Sequence, residues 1–312
     1  MKPTSIISLI VAFLLVVTGL VTCFIAQNIA SANGEFIFAE SRGDDLVNTV
    51  EVGEDISKIE LIIENAEVNI HGGSDQSYIE FINFSENYYS LSKSNTIISF
   101  DELPDLMSML KFWENGFSFK GMRYILNFTK PSEDVKKSVN VYLSKDQNLK
   151  IIDIQSDTCT LNIENIEINC DYKICANDVT VNANTLKTDG TFTVNCGPKE
   201  ERAKSVNLNI SYALIKNLNI ASKNITTDID VFKLTGESNI TCDSGNISIK
   251  LISDPTLSKL DISTEGALTV NDLEYLNTYQ SEGDPNFPGS FIINTKKADV
   301  NISKTNITAP QN

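Results

Sequence analysis

Ile240-Thr241-Cys242-Asp243-Ser244-Gly245-Asn246-Ile247-Ser248-Ile249 is the stretch on which the fold turns. Apolar and polar residues alternate on both sides of a short Asp-Ser-Gly break, which is the period-2 pattern of strands with one buried face. The unit recurs along the chain. Ile152-Asp153-Ile154 precedes Leu161-Asn162-Ile163, and Ile168-Asn169-Cys170 precedes Val179-Thr180-Val181. Leu260-Asp261-Ile262 leads through Thr264-Glu265-Gly266 to Leu268-Thr269-Val270, and Ile292-Ile293-Asn294 leads to Val300-Asn301-Ile302. The spacing centres near 20 residues: 18 separate Ile163 from Val181, and 21 separate Ile249 from Val270. Every unit is strand plus turn with no helical phase. This predicts an all-β fold, a β-solenoid or β-helix-like repeat with a narrow apolar core and polar residues at alternate, outward positions. Ser, Thr and Asn suit the turns because their side chains bond to nearby backbone.

Upstream of the repeats the alternation continues in Ile59–Ile63, Ala66–Ile70, Tyr78–Ile82, Thr96–Phe100, Tyr124–Phe128 and Val139–Leu143. One stretch breaks it. Leu106, Met109, Leu110 and Trp113 follow helical spacing, Asp101 is placed to cap, and Pro104 falls in a first turn. A short helical insertion near 102–115 is expected to cover a sheet end, and a docking patch for a partner is the alternative use of its tryptophan. The organisation expected is a membrane segment at 1–29, a linker at 30–50, the β-repeat domain at 51–303 and a tail at 304–312.

Ser5 to Ala26 reads SIISLIVAFLLVVTGLVTCFIA, and no charge occurs between Lys2 and Glu35. A run of roughly 18–20 apolar residues suffices to span a bilayer as a helix. Lys2 before it and Glu35, Glu40, Asp44 and Asp45 after it place the N-terminus in the cytoplasm and the body outside. A retained signal-anchor is favoured over a signal peptide cleaved at Ala30-Ser31-Ala32 and over a lipoprotein at Leu20-Val21-Thr22-Cys23. All three export the body, so a single-pass cell-membrane protein is expected.

The formal net charge of −16 over 312 residues disfavours nucleic acid and anionic lipid surfaces, because like charges repel. Catalytic machinery is hard to assemble from this chain. Its one histidine, His71, stands before Gly72-Gly73 and reads as a surface turn residue. No phosphate-binding loop, dinucleotide fingerprint, nucleophile elbow or zinc-protease motif occurs. Asp228-Ile229-Asp230 would put two carboxylates on one strand face. That pair could serve glycoside cleavage or Ca²⁺ binding, but solvated surface charge is the simpler reading. Cys159, Cys170, Cys175, Cys196 and Cys242 are odd in number and form no C-x-x-C, so they read as small buried side chains. A bridge such as Cys170–Cys175 stays open. Eight Asn-x-Ser/Thr triplets occur, as expected of strands with polar residues facing out. No catalytic residue, metal ligand, cofactor site or small-molecule cofactor is expected.

Ile59-Glu60-Leu61-Ile62-Ile63-Glu64-Asn65-Ala66-Glu67-Val68-Asn69-Ile70 resembles the opening strand pair of the bacterial "putative adhesin" family. The strand, S-G or T-x-G turn, and second strand typical of that family are matched by Asp243–Ile249 and more loosely by Thr264–Val270. Val139–Leu143 is similar to the strand leading into its repeats, with Ser144 where proline is usual. The resemblance covers roughly 56–303, and Leu103–Trp113 and the cysteines depart from it. It implies a membrane-tethered, repetitive β domain of no established activity. The expected role is a non-enzymatic adhesin-like or scaffold module whose partner is a cell-envelope polymer or membrane protein. A signalling accessory for envelope stress and a β-helix polysaccharide enzyme are the alternatives.

Overall fold

Isoleucine, valine and leucine at every second position leave these segments little choice but a pleated strand buried on one side. The computed structural model describes residues 47–84, 89–102, 136–195, 202–286 and 289–305, together with Gly19. Between residues 47 and 305 the described chain forms seventeen strands and one 3-10 turn, Pro255–Leu257. All-β is therefore the class, as expected. Apart from Gly19, the segment read as a membrane helix lies outside the described residues, as do residues 103–115 of the expected helical insertion, the alternating stretch Tyr124–Phe128, Cys196 and most of the tail. Asp101, read as the cap of that insertion, and Glu102 instead end the strand Ile97–Glu102, because Ile98 and Phe100 carry the alternation through them. Among the described residues no helix is long and apolar enough to cross a membrane.

The first strand, β1 (Val47–Glu51), begins inside the span read as linker, where Val47-Asn48-Thr49-Val50-Glu51 already alternates. β2 (Lys58–Ile62) and β3 (Asn65–Gly72) follow, then β4 (Tyr78–Ile82), β5 (Tyr89–Lys93), β6 (Ile97–Glu102) and β7 (Ser138–Leu143). The longest strands come next: β8 (Ile151–Glu164), the short β9 (Ile166–Glu167), β10 (Asp171–Asn195), β11 (Ala203–Leu234) and β12 (Glu237–Leu251). The chain ends with β13 (Lys259–Ser263), β14 (Leu268–Val270), β15 (Leu273–Tyr275), β16 (Thr278–Ser281) and β17 (Ser290–Lys304). The turns expected inside the repeats are corners within single long strands. Ile240–Cys242 and Ile247–Ile249 both belong to β12.

Successive turns of chain lie in parallel register. Ile59 pairs with Ile152, which pairs with Tyr172; after the corner, Val68 pairs with Leu161, which pairs with Val181. Like residues therefore stack on like, and the inward rows form one continuous core. Two departures from chain order shape the ends. The C-terminal strand β17 sits inside the sheet, parallel to β12 on one side and to β13 and β14 on the other. At the other end β6 and β7 flank β2 and β3 on the side away from β8. Antiparallel strands edge both ends: β5 on β6, β4 and β1 on β7, β16 on β13, and β15 on β14. Reversing the edge strands blunts the parallel template that an open coil would offer to another chain.

The corners explain the T-x-G and S-G sequences. Thr188 is buried, and its hydroxyl donates to the Cys170 carbonyl at 2.8 Å while accepting from the backbone N–H groups of Cys170 and Gly190. Asp171 Oδ1 then accepts from the N–H of Thr191. Thr264-Glu265-Gly266 repeats this: its hydroxyl donates to the Ala298 carbonyl and accepts from Gly266, and Asp299 accepts from Ala267. A Cβ on Gly190 would lie 2.2 Å from the Cys170 oxygen, and one on Gly245, at φ +135°, 1.8 Å from the Ile225 oxygen. Glycine is needed because one turn's backbone rests on the next.

Candidate functional site

Alternation sends Glu67, Asn69 and His71 of β3 outward while Ala66, Val68 and Ile70 enter the core. In β7 Asn140 and Tyr142 face out, and in β4 Tyr78 and Glu80 do so. Pairing then lines up side chains far apart in sequence on one lateral face, in the strand order β1, β4, β7, β3, β8, β10.

Two rows run across that face. In the first, Asn182 Nδ2 donates to Asn162 Oδ1 at 3.0 Å, and Asn162 Nδ2 to Asn69 Oδ1 at 2.8 Å. Asn69 Nδ2 donates to Asn140 Oδ1 at 2.9 Å, and Asn140 Nδ2 to Glu80 Oε2 at 3.3 Å. Every amide donates in the same direction, so the bonds polarise one another and the run ends on a carboxylate. A carboxamide carries two N–H donors and an oxygen with two lone pairs. The row uses one of each on Asn69 and Asn140, leaving the others for solvent or a ligand. Asn162 spends its second N–H on Glu67 Oε1 at 2.6 Å.

The second row lies two residues along each strand. Glu51, Tyr78, Tyr142, His71 and Glu164 stand in register, one per strand. The Tyr78 and Tyr142 rings stack at 4.5 Å and the Tyr142 and His71 rings at 4.9 Å, both 19° from parallel. His71 Nδ1 is 3.1 Å from Glu164 Oε2. Desolvation, and then the negative charge of Glu80, push the Tyr142 phenol above its usual pKa. Glu80 thus accepts from the amide row and acts by its charge on the aromatic one.

The expectation for His71 needs correction. It belongs to β3, not to the turn, because it continues the outward parity of Glu67 and Asn69 and stacks on Tyr142. Asp228 and Asp230 do share an outward strand face, and Asp230 is tied to Lys250 Nζ at 2.5 Å. Cys159, Cys170 and Cys242 carry free, buried thiols and Cys175 is half-buried; because the Cys170 thiol is free, no Cys170–Cys175 bridge forms. Burial pushes the Cys159 and Cys170 thiols up to about 12 and the Cys242 thiol up to about 11. On the other lateral face Asp153 is buried with one carboxylate oxygen 3.7 Å from both Lys58 and Lys173, while its second oxygen has no protein partner. Among the described residues no group of three or more His, Cys, Asp or Glu side chains is placed to hold a metal ion.

The aromatic row was not legible in the sequence. Tyr78, Tyr142 and His71 lie apart in the chain, and only the register joins them. The signal that was present is parity: each flanks buried residues at the outward beat of a strand.

No family model matches the chain, and no curated protein matches it. Solved structures similar to it include a "putative cell adhesion protein" from Clostridium sporogenes, at 13% identity and TM-score 0.37, covering 84% of this chain and 100% of that one. A "putative adhesin" from Bacteroides fragilis has 13% identity and TM-score 0.33, covering 85% of this chain and 98% of that one. A "putative lipid binding protein" from Parabacteroides distasonis has 9% identity and TM-score 0.30, covering 84% and 98%. The Bacteroides fragilis structure carries the name of the family that Ile59–Ile70 and Asp243–Ile249 resemble.

Proposed function

We propose that this chain is a non-enzymatic, adhesin-like binding module of the cell envelope. The coil of parallel turns, which we read as a β-solenoid, presents its outward face to an extended polymer. The apolar run from Ser5 to Ala26 supports a single-pass membrane tether with the N-terminus inside. The observation that carries the reading is the one-directional run from Asn182 to Glu80 beside the stacked row of Tyr78, Tyr142 and His71. Hydrogen-bonding groups are repeated at strand spacing along an open face, an arrangement suited to recognition over length.

The test is co-sedimentation of the full chain with purified envelope polymers, comparing wild type with Asn69→Ala and Glu80→Ala. Wild type is expected to sediment with a polymer fraction and both variants to stay in solution. Equal sedimentation of all three proteins would refute the reading of this face, and so would wild type remaining wholly in solution.

A further inference from the structure

We infer that the polymer recognised by this face is a β-linked glycan, neutral or amine-bearing, lying across the strands with about one sugar per strand from β1 to β8. The inference rests on the reading of this face as a binding surface.

Spacing gives the first argument. Neighbouring strands lie about 4.8 Å apart, so equivalent groups on this face repeat at that interval. The ring separations of 4.5 and 4.9 Å follow the same interval. An extended polypeptide advances about 3.4 Å per residue and slips out of phase with such a ladder within three residues. A β-linked hexose chain in its extended form advances by close to one strand spacing per sugar, and so stays in phase.

Chemistry gives the second. The faces of Tyr142 are occupied by Tyr78 and His71, so the row offers ring edges rather than a stacking platform. Ring edges, a phenol, an imidazole, carboxylates and half-used carboxamides are donors and acceptors matched to hydroxyl and acetamido groups. The two rows are two residues apart along each strand, about 7 Å, which is a strip about one pyranose wide. Its length from β1 to β8 sets the expected number of sugars at about five.

Charge gives the third. Glu51 and Glu164 close the aromatic row and Glu80 closes the amide row. Lys136 pairs with Glu67, while Glu80 accepts from the neutral Asn140. The strip is therefore anionic within a chain of net charge −16. It repels uronate- and phosphate-bearing polymers and favours amines.

The experiment is calorimetric titration of the full chain, in detergent, with glucosamine, N-acetylglucosamine and glucose oligomers of β-1,4 linkage, two to six sugars long. Oligogalacturonate and oligolysine complete the set. Binding of one or more of the three glycans is expected, rising in affinity with length up to about five sugars, and oligogalacturonate is expected not to bind. Where the glucosamine oligomer binds, Glu80→Gln should weaken it about tenfold, as for loss of one charge-assisted hydrogen bond, and should change the neutral oligomers less than about threefold. Asn162→Ala should weaken every ligand of the face. Circular dichroism melts of each variant separate these losses from unfolding. Oligolysine or oligogalacturonate binding alone, abolished by Asn162→Ala, would overturn the glycan and leave the binding face standing. Glycan binding untouched by Asn162→Ala and Glu80→Gln in folded protein would overturn both, and so would the absence of binding to any member of the set.

Discussion

In the middle of the coil, contacts between neighbouring turns join residues 20 positions apart: Asn182 to Asn162, Ser244 to Asn224, Lys250 to Asp230. In the first turns they join Glu102 to Lys137 across 35 positions, Asn69 to Asn140 across 71 and Glu67 to Asn162 across 95. The alternation is the same in both regions, and the means of closure differ. A 20-residue loop closes at modest entropic cost and is rewarded at once by the turn beneath it. The first turns must hold long loops shut, and they carry denser side-chain interactions. Phe81, Phe84, Phe100 and Tyr89 pack into one aromatic cluster, with Phe81 and Phe100 stacked at 4.2 Å. Glu102 is buried, held by Lys137 and by the N–H of Glu64. The candidate site lies on this non-local region, where distant segments meet.

The C-terminal strand breaks the rule of local closure most sharply, and it should produce the largest effect. Deleting residues 290–304 removes Phe291, Ile293, Ala298, Val300 and Ile302 from the core and separates β12 from β13. The expected result is loss of the cooperative thermal transition seen by circular dichroism. A transition kept within a few degrees would show that the turns are stable without β17. In the first turns, Phe100→Ala should cost about 3–5 kcal/mol in denaturant unfolding, because it empties the centre of the aromatic cluster. A loss under about 1 kcal/mol would mean that this cluster does not hold the region shut.

Corners of the middle turns should respond less. Thr188→Val keeps the shape but leaves the Cys170 N–H and carbonyl without the hydroxyl that serves both, a cost of about 1–3 kcal/mol. Thr264→Val should cost about as much, since its hydroxyl also donates to a carbonyl and accepts from the glycine N–H, with the Thr295 hydroxyl as its second donor in place of a backbone N–H. Divergence between the two would show that they are not equivalent. A smaller effect is expected from pH. An exposed thiol ionises near pH 9, whereas burial holds Cys159 and Cys170 protonated to about 12. The unfolded chain therefore loses these protons first, and stability falls as pH rises from about 9 towards 12. A Cys159→Ala/Cys170→Ala protein should show a shallower alkaline decline, read from urea midpoints across that range.

Sequence reading reached what is local. The alternation of Ile240–Ile249 and its relatives announced strands and an inward face, and the spacing near 20 residues matches the offset between middle turns. Gly245 and Gly266 were legible as breaks, though their reason, a carbonyl of the adjacent turn against the missing Cβ, needs the stack. Pairing across 71 or 95 residues was not legible, since any outward-parity strand could lie beside any other. For that reason His71 read as a turn residue, Tyr78 and Tyr142 were two tyrosines among several, and the insertion of β17 between β12 and β13 left no trace. Asp228 and Asp230 stood out because they are close in sequence, and Asp230 proves to be joined to Lys250.

The most direct test sets the first turns against the middle ones. Asn162→Ala and Asn246→Ala each remove an outward carboxamide, the first from the amide row and the second from a middle turn on β12. Affinity of the full chain for the envelope polymer that it sediments with should fall at least tenfold in Asn162→Ala, about 1.4 kcal/mol, and stay within about twofold in Asn246→Ala. Equal affinity in the two variants would contradict the assignment of binding to the face formed by β1, β4, β7, β3, β8 and β10.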